Sequence, residues 1–192
     1  MTKILYAALA ASTFLLPAAA SAQALAAPVI AVVDIQRVQT QCNACRTALS
    51  QLESQLAGLR TLQTTLEAPL RTENAALQAA GRALNGRAPD AALQARATAF
   101  ETKTRDAQRQ LAAREESFQR NRAYVLQQIN AKLEPAIAAV STRRGASLIL
   151  DASSVLRAAP ALNVTADVIA ALNASLTSIA TTAPAAAAPA SR

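Results

Sequence analysis

Histidine and tryptophan are both absent from this 192-residue chain, and aromatics make up only 3% of it. Without imidazole there is no histidine general base, no serine–histidine or cysteine–histidine pair, and no ordinary zinc site. Two cysteines alone are too few for structural zinc. Glycine occurs four times, and no glycine-rich loop is present to cradle a phosphate. Nor is there a run of aromatics among basic residues on which nucleic-acid bases would stack, so nucleic acid is not an expected partner. The carboxylates are scattered among arginines, the pattern of a solvated helix face. The sequence therefore predicts no enzyme, no catalytic residue, no metal site and no cofactor.

What the chain does have is alanine and leucine at helical spacing. Hydrophobic residues reach 52%, but alanine supplies much of that, and alanine favours helix while burying little area. From Ile35 the apolar series steps in threes and fours through Val38, Cys42, Cys45, Leu49, Leu52, Leu56 and Leu59, then Leu66, Leu70, Leu77, Ala80 and Leu84. Only Gln63 and Glu73 interrupt it, so a 3.5-residue repeat runs for about seven heptads. Asn85-Gly86-Arg87-Ala88-Pro89-Asp90 is the turn-rich cluster, with Pro89 suited to a first helical position. A return arm follows through Leu93, Ala97, Phe100, Ala107, Leu111, Phe118, Val125, Ile129, Leu133, Ile137 and Val140, changing to a spacing of four after Val125. Residues 35–144 thus predict one long antiparallel helical hairpin, bent but not ended at Pro69 and Pro135. Thr40–Asn43 is polar enough for the first helix to break and restart. Roughly 40 residues per arm give a projection of roughly 60 Å at 1.5 Å per residue. A rod of two helices has too little interior for a core, so it must pair with copies, hold something, or both.

The flanks add a targeting segment and a small body. Lys3, the apolar run Ile4–Leu16 and the small-residue stretch Pro17–Ala22 read as a signal peptide over residues 1–22, with a bacterial periplasm as the destination. Its removal leaves 18 basic and 12 acidic residues, a net charge of +6 suited to acidic partners. Residues 23–34 hold a loose leader and a β-prone run, Ile30–Val33, ending in Asp34 as a helix cap. Arg143-Arg144-Gly145 is a helix stop. Residues 145–178 then hold a second strand at Leu148–Leu150, a weaker third at Val155–Ala158, and a helix capped by Thr165 with Val168, Ile169 and Leu172 on one face. Residues 179–192, alanine and proline for the most part, predict a disordered tail.

Antiparallel arms bring the two strand runs together at one end. Ile30, Val32, Leu148 and Leu150 are the candidate body residues, and so few strands per chain favour a sheet shared among subunits. Around the turn, Arg82, Arg87, Arg96, Lys103, Arg105, Arg109 and Arg114 outnumber Asp90, Glu101 and Asp106 for a local balance of +4. Arg82, Arg87, Arg96, Arg105 and Arg109 are the candidate contacts for a client, lipopolysaccharide or anionic membrane surface; solubilising charge is the plainer alternative. Cys42-Asn43-Ala44-Cys45 is a C-x-x-C without a thioredoxin-type context, read as a disulfide or as two small seam residues rather than a redox centre.

The order of strand, long hairpin, strand and short helix resembles the Skp (OmpH-like) family of periplasmic chaperones. The resemblance rests on Ile30–Asp34, on Gly145–Ala152 and on Asn163-Val164-Thr165-Ala166-Asp167-Val168, and frames residues 29–176. It implies a homotrimer whose strands form a barrel-like body, with hairpin tentacles enclosing unfolded outer-membrane proteins. With no phosphate loop in the sequence, the expected activity is that of an ATP-independent holdase. The chain departs from the family's pattern in having only Lys103 and Lys132 after the signal, in its cysteine pair and in its proline–alanine tail. A structural or adaptor coiled coil of the envelope, or a lipopolysaccharide carrier, is the competing expectation.

Overall fold

The computed structural model describes residues 27–184, so the signal peptide expected at 1–22 and the last eight residues lie outside it. The chain enters through strand β1 (Ile30–Val33) and passes Asp34 into a short helix α1 (Ile35–Gln41). The Asp34 carboxylate caps α1 by accepting the Arg37 N–H at 2.8 Å. At Cys42 the backbone opens to an extended conformation and the helix restarts as α2 (Asn43–Ala83). The turn that follows places Asn85 (φ 47°) and Gly86 (φ 84°) in the left-handed region, which asparagine and glycine tolerate best. Helix α3 (Ala91–Arg144) returns, capped by Asp90, whose carboxylate accepts the Leu93 N–H at 2.8 Å. Pro89 therefore sits one residue before the cap rather than at the first helical position expected of it. Its carbonyl is still used, accepting from the Gln94 amide at 3.0 Å.

Both prolines stay inside their helices, Pro69 in α2 and Pro135 in α3. The 41 residues of α2 and 54 of α3 correspond to about 60 Å and about 80 Å of helix. Gly145 (φ 65°) ends α3: the Ala146 N–H returns to the Ser141 carbonyl at 2.9 Å, and the Gly145 N–H to Thr142 at 3.2 Å. That left-handed reversal turns the chain back, so strand β2 (Leu148–Asp151) runs parallel to β1, with Ile30 opposite Leu148 and Val32 opposite Leu150.

Two strands are all that one chain contributes among the described residues; it forms a parallel pair, not a barrel. The third strand expected at Val155–Ala158 does not form, and Leu156 is fully exposed there. Asp151 explains this. Its carboxylate accepts the Ser153 N–H at 3.0 Å and its carbonyl the Ser154 hydroxyl at 2.7 Å, closing a 3-10 turn that leads the backbone off the sheet. Helix α4 (Thr165–Ser175) completes the body. Its cap also differs from expectation. Asn163, not Thr165, takes the first free N–H, through Oδ1 at 2.9 Å. The Thr165 hydroxyl instead accepts the Asp34 N–H at 2.9 Å, joining the starts of α1 and α4.

The core lies at this end of the molecule. Val168 and Leu172 of α4 are fully buried against Val38, the two cysteines, Val125, Ile129 and Val140, while Ile169 is half-buried. Arg144 grips Asp167 at 2.6 Å, holding the last turn of α3 to the first turn of α4, where both helix dipoles favour those charges. Residues 179–184, expected to belong to a disordered tail, lie along α2 and α3 instead and hydrogen-bond to them.

Candidate functional site

Beyond Leu62 and Arg114 the two arms face each other alone. Leu56, Leu59, Leu62, Leu66, Leu70, Leu77 and Leu84 are half-buried against Leu93, Phe100 and Leu111, and Ala107 is the one apolar residue there that is fully buried. Two helices shield one line of contact and leave both sides of it open to water. The leucine repeat thus makes a zipper whose flanks stay partly apolar.

Glu73, a break in that repeat, is a cross-arm tie. Its two carboxylate oxygens receive Nε and a terminal nitrogen of Arg96 at 2.7 and 3.0 Å. Those bonds hold the Glu73 carboxyl below its ordinary pKa, with the Arg96 and Lys103 charges adding to them. The same bonds raise Arg96. Arg96 is therefore engaged between the arms rather than presented outward. Arg109 pairs with Asp106 one turn earlier, and Arg105 donates to the Thr102 hydroxyl at 3.3 Å. Arg82 and Arg87 stand at the turn without an ion pair among the described residues; Arg87 reaches only the Leu84 carbonyl, at 3.4 Å. The five candidate arginines do not converge on one site. Two mark the tip, and three run down α3.

At the opposite end, the candidate body residues divide. Val32 is buried and Leu150 half-buried, but Ile30 and Leu148, paired in register, are 36% and 44% exposed, with Val29 beside them at 52%. An apolar patch on a two-stranded sheet is the kind of edge that strand pairing with another chain would cover.

Cys42 and Cys45 are joined by a disulfide across one helical turn, with their Cα atoms 5.0 Å apart. Both are 0% exposed, packed under α4. An exchange centre needs a sulfur that a partner thiol can reach, and neither sulfur here offers one.

One set of polar residues escaped the reading of the repeat. Gln51, Gln55, Asn121 and Gln128 line the shoulder of the hairpin, where residues 179–184 lie. The signal was present in the return arm, whose apolar series skips from Phe118 to Val125. Asn121 occupies the missing seam position and is buried there at 7% exposure.

Residues 29–172 match the model of a family described as outer membrane protein (OmpH-like). The chain belongs to the OmpH-like family. A similar protein is the chaperone protein Skp of Yersinia enterocolitica, 30% identical over 165 residues that span 84% of this chain and 95% of the relative. A similar structure is that of an OmpH-like candidate outer membrane chaperone from Caulobacter crescentus CB15. Its TM-score is 0.66 at 22% identity, covering 82% of this chain and 90% of the other. This OmpH-like chain thus has the long-armed fold expected of it, and it stands among relatives named as chaperones rather than enzymes.

Proposed function

We propose that this OmpH-like protein is an ATP-independent holdase of the periplasm. It keeps unfolded outer-membrane proteins apart in a space between hairpin arms, three chains joining through their strands into a common barrel-like body. The observation that carries this reading is the arm itself: some 30 residues of each helix project past the core (residues 56–84 and 91–117) and enclose nothing of their own. Half-buried leucines and a basic surface suit many weak contacts with an unfolded, acidic, alternately apolar chain. The exposed apolar pair Ile30 and Leu148 supports the shared body. Arg82 and Arg87, without ion pairs at the tip, favour a second contact, with lipopolysaccharide or another anionic surface.

The test is dilution of a urea-unfolded porin into buffer with and without the mature protein, followed by light scattering. A holdase suppresses the scattering at small excess over porin and without nucleotide. Undiminished scattering at several-fold trimer excess returns the chain to the structural or adaptor class. For the tip, salt-sensitive binding to lipopolysaccharide vesicles should be lost in Arg82→Gln/Arg87→Gln, and equal binding by the variant removes that contact.

A further inference from the structure

We propose that the shoulder groove between α2 and α3 is a binding site for an extended polypeptide, read through its backbone, and that residues 179–184 occupy it as a built-in competitor of the client. The identity of that client rests on the holdase reading; the groove does not.

After α4 the chain is pinned to the core by Leu176 and half-buried Ile179, then runs along the hairpin without helix or strand, bending at Thr182. Gln128 takes both backbone polar groups of one residue: its Nε2 donates to the Ala180 carbonyl at 2.8 Å, and its Oε1 accepts the Ala180 N–H at 3.0 Å. Gln55 donates to the Thr181 carbonyl at 3.0 Å, and Asn121 accepts the Ala183 N–H at 2.8 Å. Asn121 also donates to Gln55 at 2.8 Å, so the two readers hold each other's orientation. Only the Thr181 hydroxyl, donating to Gln51 at 2.7 Å, uses a side chain of the bound segment.

A carboxamide carries a donor and an acceptor, the same pair that every non-proline peptide unit presents. A row of them therefore recognises an extended backbone whatever its side chains. The present occupant, Ile-Ala-Thr-Thr-Ala-Pro, has little else to offer. Beside it the groove opens into a hollow of about 540 Å³, walled by Leu59, Leu62 and Phe118, with Arg114 and Thr182 at its edge. Small tail side chains leave that space unfilled. A segment with larger apolar residues at alternate positions would use it, and that is the pattern of an unfolded β-barrel strand.

The tail and a client cannot hold the same carboxamides together, so tail occupancy lowers apparent client affinity by the fraction of groove it blocks. Two variants of the full mature chain separate this from a merely structural strap. Ala180→Pro/Ala183→Pro removes the two N–H donors and leaves the groove whole. It should bind unfolded porin about threefold or more tightly than wild type. It should also take up a labelled peptide of residues 177–184 with ordinary backbone N–H groups, which wild type excludes. Gln128→Ala frees the tail but removes a reader, and should bind porin no better than wild type. Equal porin affinity in all three proteins, or failure of the proline variant to bind the peptide, overturns the proposal. Peptide uptake by that variant with no porin binding by any of the three sustains the groove and instead overturns the holdase reading. Circular dichroism confirms that each variant retains its helices.

Discussion

The near and far halves of the hairpin are made from the same heptad alphabet, yet only the near half has an interior. Near the body, α4 packs against α3 and α1, and Val125, Ile129 and Val140 lose essentially all contact with water. Past Phe118 no third helix covers the seam, and leucines of the same repeat remain half-exposed. Repeat quality does not set burial here. The number of helices in contact does, because two cylinders touch along a line whereas three enclose a volume. The near half is therefore where stability resides, and the far half is free to spend its apolar surface on something else.

The largest expected effect comes from the near half. Ile129→Ala should cost about 3 kcal/mol in urea unfolding at fixed protein concentration. Leu70→Ala in the far half should cost about 1 kcal/mol or less, since half of that side chain is already wet. Equal costs would abolish the distinction between the halves. Next is the disulfide. It closes a very short loop under α4, and its reduction should lower stability by about 2 kcal/mol at most. Amide hydrogen exchange should then accelerate around Cys42 and Leu172 while the tip is unchanged. Gly145→Ala follows. Nothing crowds a Cβ there, so the cost is only that of a left-handed residue, about 1 kcal/mol.

The smallest effect belongs to the far half. Because the Glu73 carboxyl is held below its ordinary value by Arg96, its contribution is present above the unfolded carboxylate pKa and is lost as pH falls through the depressed one. Exchange near Glu73 and Arg96 should quicken on acidification in the wild type. In Glu73→Gln it should be already quick at neutral pH, with the global melting temperature unmoved in both.

Much of this architecture was legible because leucine periodicity encodes a hairpin directly. Leu56, Leu66 and Leu84 could be placed without coordinates, and so could the stops at Asn85-Gly86 and Gly145. Strand direction could not be. Whether Leu148 pairs parallel or antiparallel with Ile30 depends on how the backbone leaves Gly145, and no hydrophobic pattern records that. The Thr165 hydroxyl does not cap α4 because it answers Asp34, 131 positions away in sequence, while Asn163 two residues earlier accepts the Thr165 N–H. The tail misled for a related reason. Alanine and proline bury too little to predict order, but the carboxamides that hold residues 179–184 bind main chain, which composition does not describe. Among the candidate site residues, the tip arginines were visible as local charge. The tie between Arg96 and Glu73 needed the two arms side by side.

The parallel pairing of the strands also sets a timetable. The Val29 N–H waits for the Ser147 hydroxyl, 118 positions downstream, before the first strand has a neighbour. Nearly everything between them is helix, which can coil and zip from its own turn as soon as it emerges. A nascent copy thus has finished arms before it has a foot to stand on, and its sheet cannot close until almost its whole length has been delivered.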